Sequence, residues 1–298
     1  MFYAFGEQYA YNLLFTVAKK FFTRTVDELE LEDFQRAYQG WVASVQAHLP
    51  ATRELGVELV CDAEREAQLI APLLEPSPLD DRPHYRDLSQ FNRVQADREQ
   101  IARETSHLAA LLEQFRAKDT SFWEVFSIYV NHVVCASSKF TSGGTSSQAL
   151  GVIYLANPLT RSADSLYELF VHESTHLMMF VDERRARHYR DYRALAQPEN
   201  FSVSAVYEKQ RPLDKTLHSI AVATEVLLHR EHVIGHASDS SVHPPTPKLT
   251  ASTLRACDAL LELQARRQLL APRGVQIIET CAAKLHDINV DAPIAVAV

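Results

Sequence analysis

Leu166-Tyr167-Glu168-Leu169-Phe170-Val171-His172-Glu173-Ser174-Thr175-His176-Leu177-Met178-Met179-Phe180 is an apolar run interrupted by two histidines set four residues apart. Leu166, Phe170, Leu177 and Phe180 recur at helical spacing and would form one buried face. Ser162 or Asp164 can cap the start of that helix. On a helix, a spacing of four puts both imidazoles on one side about one turn apart, where they can grip a single metal ion. Glu173 lies between them, at the position of the general base in zinc hydrolases with this pattern. The plain alternative is a helix with two polar histidines at its edge.

Outward from this stretch the chain reads as mostly α, a helical domain with a small β element next to the histidine helix. Residues 149–155, Ala-Leu-Gly-Val-Ile-Tyr-Leu, form the clearest strand pattern. In many metalloproteases a strand placed there lines the cleft and pairs with substrate; burial inside a small sheet is the other reading. Thr25 and Glu28 suit a capping box opening a helix that reaches Leu49, with Phe34, Tyr38, Trp41 and Val45 as its stripe. Further helices are expected over 54–74, over 85–118 with Leu108, Leu111, Leu112 and Phe115 inward, and from a second box at Ser121 and Glu124 through Val134. Residues 141–147 read as a flexible loop. It lacks the lysine that a phosphate-cradling loop requires, which excludes a nucleotide site there. Helices to Leu195, over 214–230, over 252–270 and over 275–287 follow, with a proline-rich loop at 238–247 and an apolar tail at 293–298. The breaks at 76–83 and 238–247 are too short to demand separate domains. The expectation is one domain over 1–298, with a helical half at 1–140, the metal-site region at 148–236 and C-terminal helices at 250–298.

Only 8 glycines in 298 residues argue against a turn-rich all-β fold. A net charge of −8 with scattered Lys and Arg argues against nucleic acid, which needs a basic stripe. Cys61, Cys135, Cys257 and Cys281 lie far apart with no Cys-x-x-Cys pair, the pattern of reduced thiols in the cytoplasm. No basic leader opens the chain, and the apolar residues 11–18 are too few to span a membrane.

Two imidazoles do not hold a catalytic metal alone, so a third protein ligand is expected. No glycine follows His176 before Gly235, which excludes the short metalloprotease variant with a nearby third histidine. Glu225 sits in the apolar stretch 220–228, where a carboxylate needs a reason. His218 begins the same helix. Seven residues separate the two, about 10 Å along the axis, so one metal cannot take both. His229 lies one turn beyond Glu225, and a buried, hydrogen-bonded role is open to each of the three.

Tyr207-Glu208-Lys209-Gln210-Arg211-Pro212-Leu213, followed by Leu217-His218, together with the His172–His176 motif, resembles HExxH-containing peptide-modification proteins of ribosomally synthesised peptide clusters. The resemblance covers roughly residues 150 to 235. It implies an Fe(II)- and 2-oxoglutarate-dependent oxygenase that uses dioxygen to hydroxylate a precursor-peptide side chain, typically at the β-carbon. His172, His176 and His218 would then be the iron ligands. Arg211 is the candidate partner for the far carboxylate of 2-oxoglutarate, which a planar guanidinium suits. Glu173 would orient a ligand or position substrate. Two other readings stand beside this one. The first is a zinc metallopeptidase with His172, His176 and Glu225 as ligands and Glu173 as base. The second is a non-enzymatic helical binding protein.

Overall fold

A computed structural model describes residues 2–75, 98–136, 142–236 and 242–288. The chain is mostly α with a small β element. It forms two compact units: 7–75, 98–136 and 142–181 in one, and 2–6, 182–236 and 242–288 in the other. The first helix, α1 (Phe2–Phe5), belongs to the second unit.

The unit carrying the motif begins with α2 (Glu7–Val17) and α3 (Leu31–Val45). Thr25 does donate to Glu28 at 2.9 Å, but the pair closes only the 3-10 turn Val26–Glu28. The capping box of α3 is instead Glu30 with Asp33, each side chain accepting from the other's backbone. The helix stops four residues before Leu49 because Gln46 turns away. Its amide donates to the Ser147 carbonyl and accepts from the Leu150 N–H, both at 2.7 Å. Tyr38 and Trp41 are buried as expected, whereas Val45 is exposed and Val42 takes the inward place.

Residues 54–74 are not one helix. They give β1 (Glu58–Val60) and then α4 (Ala63–Ile70), whose cap Asp62 accepts the Arg65 N–H at 2.8 Å. Pairing with a distant strand, parallel with Glu58 opposite His132, overrides the local helical pattern. α5 (Arg98–Lys118) buries Leu108, Leu111, Leu112 and Phe115. α6 (Thr120–Tyr129) is capped by Asp119, which accepts the Phe122 N–H at 3.0 Å, rather than by Ser121. It ends at Tyr129 because the β-branched residues after it form β2 (His132–Ala136), not more helix.

The loop expected at 141–147 contains β3 (Gly143–Ser146), hairpinned onto β4 (Ala149–Ala156). The sheet order is β1-β2-β4-β3. β2 runs parallel to both neighbours and β3 antiparallel to β4. All eight residues of β4 are buried, as both-face coverage of a parallel-paired strand requires. After β4, α7 (Ala163–Arg185) begins at Ser162, whose hydroxyl accepts the Ser165 N–H. The unit boundary falls within α7, between Val181 and Asp182. Tyr167 and Phe170 pack against Phe115, with ring centroids 4.7 and 5.8 Å away. Each such pair contributes about 0.5–1.5 kcal/mol beyond its buried area. Phe170 and His172 are about 200° apart around the helix, so anchoring the first turns the histidines away from the aromatic cluster.

In the second unit, α8 (Leu213–His229) buries every residue except Lys215. α1, α9 (Thr246–Leu261) and α11 (Pro272–Leu285) pack around it. The helix expected over 252–270 breaks near Leu263 into α9 and the short α10 (Gln264–Leu269). α9 starts inside the expected proline loop, because Pro245 sets the helix-entry backbone. Residues 186–195 leave the helix after Arg185; Tyr189 forms an antiparallel bridge with Leu270 instead. β5 (Ser202–Val203) and β6 (Gln210–Arg211) pair antiparallel. Asp182, fully buried, accepts from His188 and from Arg273, both at 2.8 Å. The breaks at 76–83 and much of 238–247, the first part of the 85–118 helix and the apolar tail lie outside the described residues. Among the described residues no helix is long and apolar enough to cross a membrane.

Candidate metal centre

The helix of the motif is a good one for holding rings still. Ser174 and Thr175, between the histidines, bond back to the Val171 carbonyl and so are committed to the helix. The ring of Phe180 stacks on His176, 6.3 Å between centroids and 19° between planes. His172 and His176 then approach each other through their Nε2 atoms at 3.2 Å.

That distance is informative. With metal–nitrogen bonds of about 2.0–2.1 Å, two ligands stand about 3.0 Å apart at a right angle and about 3.4 Å apart in a tetrahedron. The observed 3.2 Å lies between these two edge lengths. Without an ion, the same approach needs one Nε2 to carry hydrogen and the other a lone pair; a metal takes the place of that proton.

Glu173 completes a group whose ligand atoms all lie within 4.8 Å of one another. Its Oε1 is 4.0 Å from His172 Nε2. The carboxyl is almost fully buried, and burial pushes its pKa up to about 8. In the metal-free protein it keeps its proton at neutral pH, whereas a cation beside it would draw the ionised form. β3 borders this carboxyl closely. A Cβ on Gly143 would lie 3.4 Å from Glu173 Oε1 and 2.9 Å from the Tyr154 carbonyl. The loop expected over 141–147 thus holds paired glycines, 143 and 144, that let a strand pass against the motif glutamate. The double glycine was the signal available for it.

The other candidates lie in the second unit. His218 on α8 is buried. Burial first, then the charges of Lys215 and His188, hold its pKa well below the usual histidine value. A neutral imidazole is the form that a metal takes. Glu225 is fully buried, with Oε2 accepting the Tyr3 N–H and Oε1 the Ala4 N–H, both at 3.0 Å. Anchoring α1 is therefore the reason for a carboxylate in that apolar helix. His229 is buried near the Tyr3 ring, 5.9 Å between centroids. Arg211, in β6, is half-buried with its guanidinium 5.1 Å over the Tyr207 ring.

The structure thus assembles His172, Glu173 and His176 within one unit, and sets His218, Arg211 and Glu225 in the other. No family model matches this chain, and no curated protein is significantly similar to it. The donor set itself has to carry the functional reading. Two nitrogens at a coordination-edge distance, with a buried carboxyl beside them, fit a first-row divalent metal such as iron or zinc.

Proposed function

We propose that this chain is an Fe(II)- and 2-oxoglutarate-dependent oxygenase that hydroxylates a side chain, at the β-carbon, of a ribosomally synthesised precursor peptide. The observation that carries the metal site is the 3.2 Å approach of His172 and His176 through Nε2. The third ligand in this reading is His218, a buried ring held neutral. The resemblance around Arg211, Pro212 and His218 supports oxygen chemistry over hydrolysis. So does the engagement of both Glu225 oxygens by backbone N–H groups. When bound, iron with 2-oxoglutarate and dioxygen would supply the oxidation of a C–H bond, with His172, His176 and His218 holding the metal. The protein's part is to hold and orient. Arg211 would pair with the far carboxylate of the co-substrate. Glu173 orients the site from beside the histidines. The four cysteines are free thiols, which suits the cytoplasm. At a net charge of −8 the partner is a peptide rather than nucleic acid.

A zinc metallopeptidase is the second reading, with His172, His176 and Glu225 as ligands. The placement of Glu173 within 4.0 Å of His172 Nε2, where a base would stand, favours it. Anaerobic titration of the protein with Fe(II) and 2-oxoglutarate separates the two. The oxygenase reading expects a weak visible charge-transfer band, lost in His218→Ala and kept in Glu225→Ala. Metal retained by His218→Ala but lost by Glu225→Ala would overturn it in favour of the peptidase. Full metal occupancy in a His172→Ala, His176→Ala double variant would leave only a non-enzymatic binding protein.

A further inference from the structure

A groove of about 630 Å³ is lined entirely by residues of the second unit. One wall is a single face of α10: Gln264, Arg267 and Gln268 are spaced three and four apart. The other is the matching face of α11, where Val275, Gln276 and Glu279 follow Pro272 at the same spacing. Arg190 closes the groove. Its Nε–H donates to the Leu270 carbonyl at 2.9 Å, which fixes the guanidinium and leaves its two terminal amines unspent.

Neither Arg190 nor Arg267 has a carboxylate partner among the described residues. Both exposed guanidiniums line one concavity, so an anion lying in it would be attracted by two positive charges. That they converge in a chain of net charge −8 makes the pairing more pointed. On the α10 wall the Gln264 and Gln268 amides each offer a donor and an acceptor, as a peptide backbone requires, while on the α11 wall Gln276 accepts from Arg273 at 2.7 Å and offers its amide N–H groups. From Pro272 to Glu279 the α11 wall is about 10 Å long, the length of about three extended residues.

We propose that this groove binds a short extended acidic peptide segment, its carboxylates meeting Arg190 and Arg267 and its backbone the glutamines. Glu279 at the end of the wall repels a further acidic residue and sets the direction. The site stands independently of the metal reading, because occupancy needs no catalysis.

Fluorescence anisotropy with a fluorescein-labelled pentapeptide of consecutive acidic residues flanked by glycine, at low salt, tests it. The matching peptide with amides in place of the carboxylates is the comparison. The acidic probe is expected to bind at least tenfold more tightly than the amide probe, and Arg267→Glu is expected to weaken it at least tenfold. Arg267 is exposed on α10, so this variant keeps its fold; adding Arg190→Gln should abolish binding. A preference or a loss smaller than tenfold overturns the proposal. Displacement of the probe by free succinate at the probe's own dissociation constant would also overturn it, because the groove would then be a small-dicarboxylate site.

Discussion

Glu225 accepts two backbone N–H groups inside a helix that is otherwise apolar, and its fate on mutation separates structure from chemistry. Replacing it by alanine leaves two donors of α1 without their acceptor. An orphaned buried group costs about 1–3 kcal/mol, so Glu225→Ala should lower unfolding stability by about 2–6 kcal/mol in urea melts. Metal content, measured on the same preparation while it is still folded, should not change. His176→Ala is the mirror case. The ring is half-buried, so stability should move little, whereas metal affinity should fall by two orders of magnitude or more in a chelator competition. The motif residues were legible in the sequence because helical spacing alone dictates their shared face. The occupation of Glu225 was not, since its partners lie more than two hundred residues away.

At the scale of elements, caps and close approaches decide where helices and strands begin. Asp119 and Ser121 are both plausible caps for α6; the chain uses Asp119, whose carboxylate reaches the Phe122 N–H at 3.0 Å. Asp119→Ala should cost about 1 kcal/mol, and Ser121→Ala close to nothing, in the same denaturation assay. In β3 the constraint is steric. A Cβ on Gly144 would come within 2.7 Å of the Tyr154 hydroxyl end. Gly144→Ala should therefore destabilise by about 1–3 kcal/mol and disturb the neighbouring motif glutamate, seen as a drop in metal affinity. The helices were readable where an apolar stripe ran for several turns, as in α5 and α8, and most clearly in α7, where a local cap at Ser162 agreed with it. They were misread at 54–74 and past Tyr129, where short β-branched runs only become strands once β1, β2 and β4 pair.

For the molecule as a whole, buried titratable groups make stability depend on pH in opposing ways. His132 lies among Glu58 and Arg65, and Arg65 donates to its Nε2 at 3.3 Å. Burial, aided by Arg65 and opposed by Glu58, lowers its pKa from 6.5 to about 4. Between those values the unfolded chain binds a proton that the folded chain refuses. The contribution is therefore complete above pH 6.5 and is lost as pH falls towards 4. Glu173 acts the other way in the metal-free protein. Its folded pKa of about 8 exceeds the unfolded 4.5, so its contribution is complete below 4.5 and is lost as pH rises towards 8. His132→Gln keeps an acceptor for Arg65 and removes the titration. Moving from pH 7 to pH 5, the wild type should lose about 2 kcal/mol relative to this variant in paired urea melts. An unchanged difference would show that His132 titrates normally in the fold.

From sequence alone came the mostly helical class, a helix through residues 166–180 with both imidazoles on one side, the strand at 149–155 and the buried face of α5. Each depends on periodicity within a few turns of chain, which local sterics and burial enforce. Tertiary structure decided the four-stranded sheet, the strand laid against Glu173, the use of Glu225 to anchor α1 and the guanidinium-lined groove. These need residues tens to hundreds of positions apart to meet, and the free energy that selects such meetings comes from packing that no local pattern encodes.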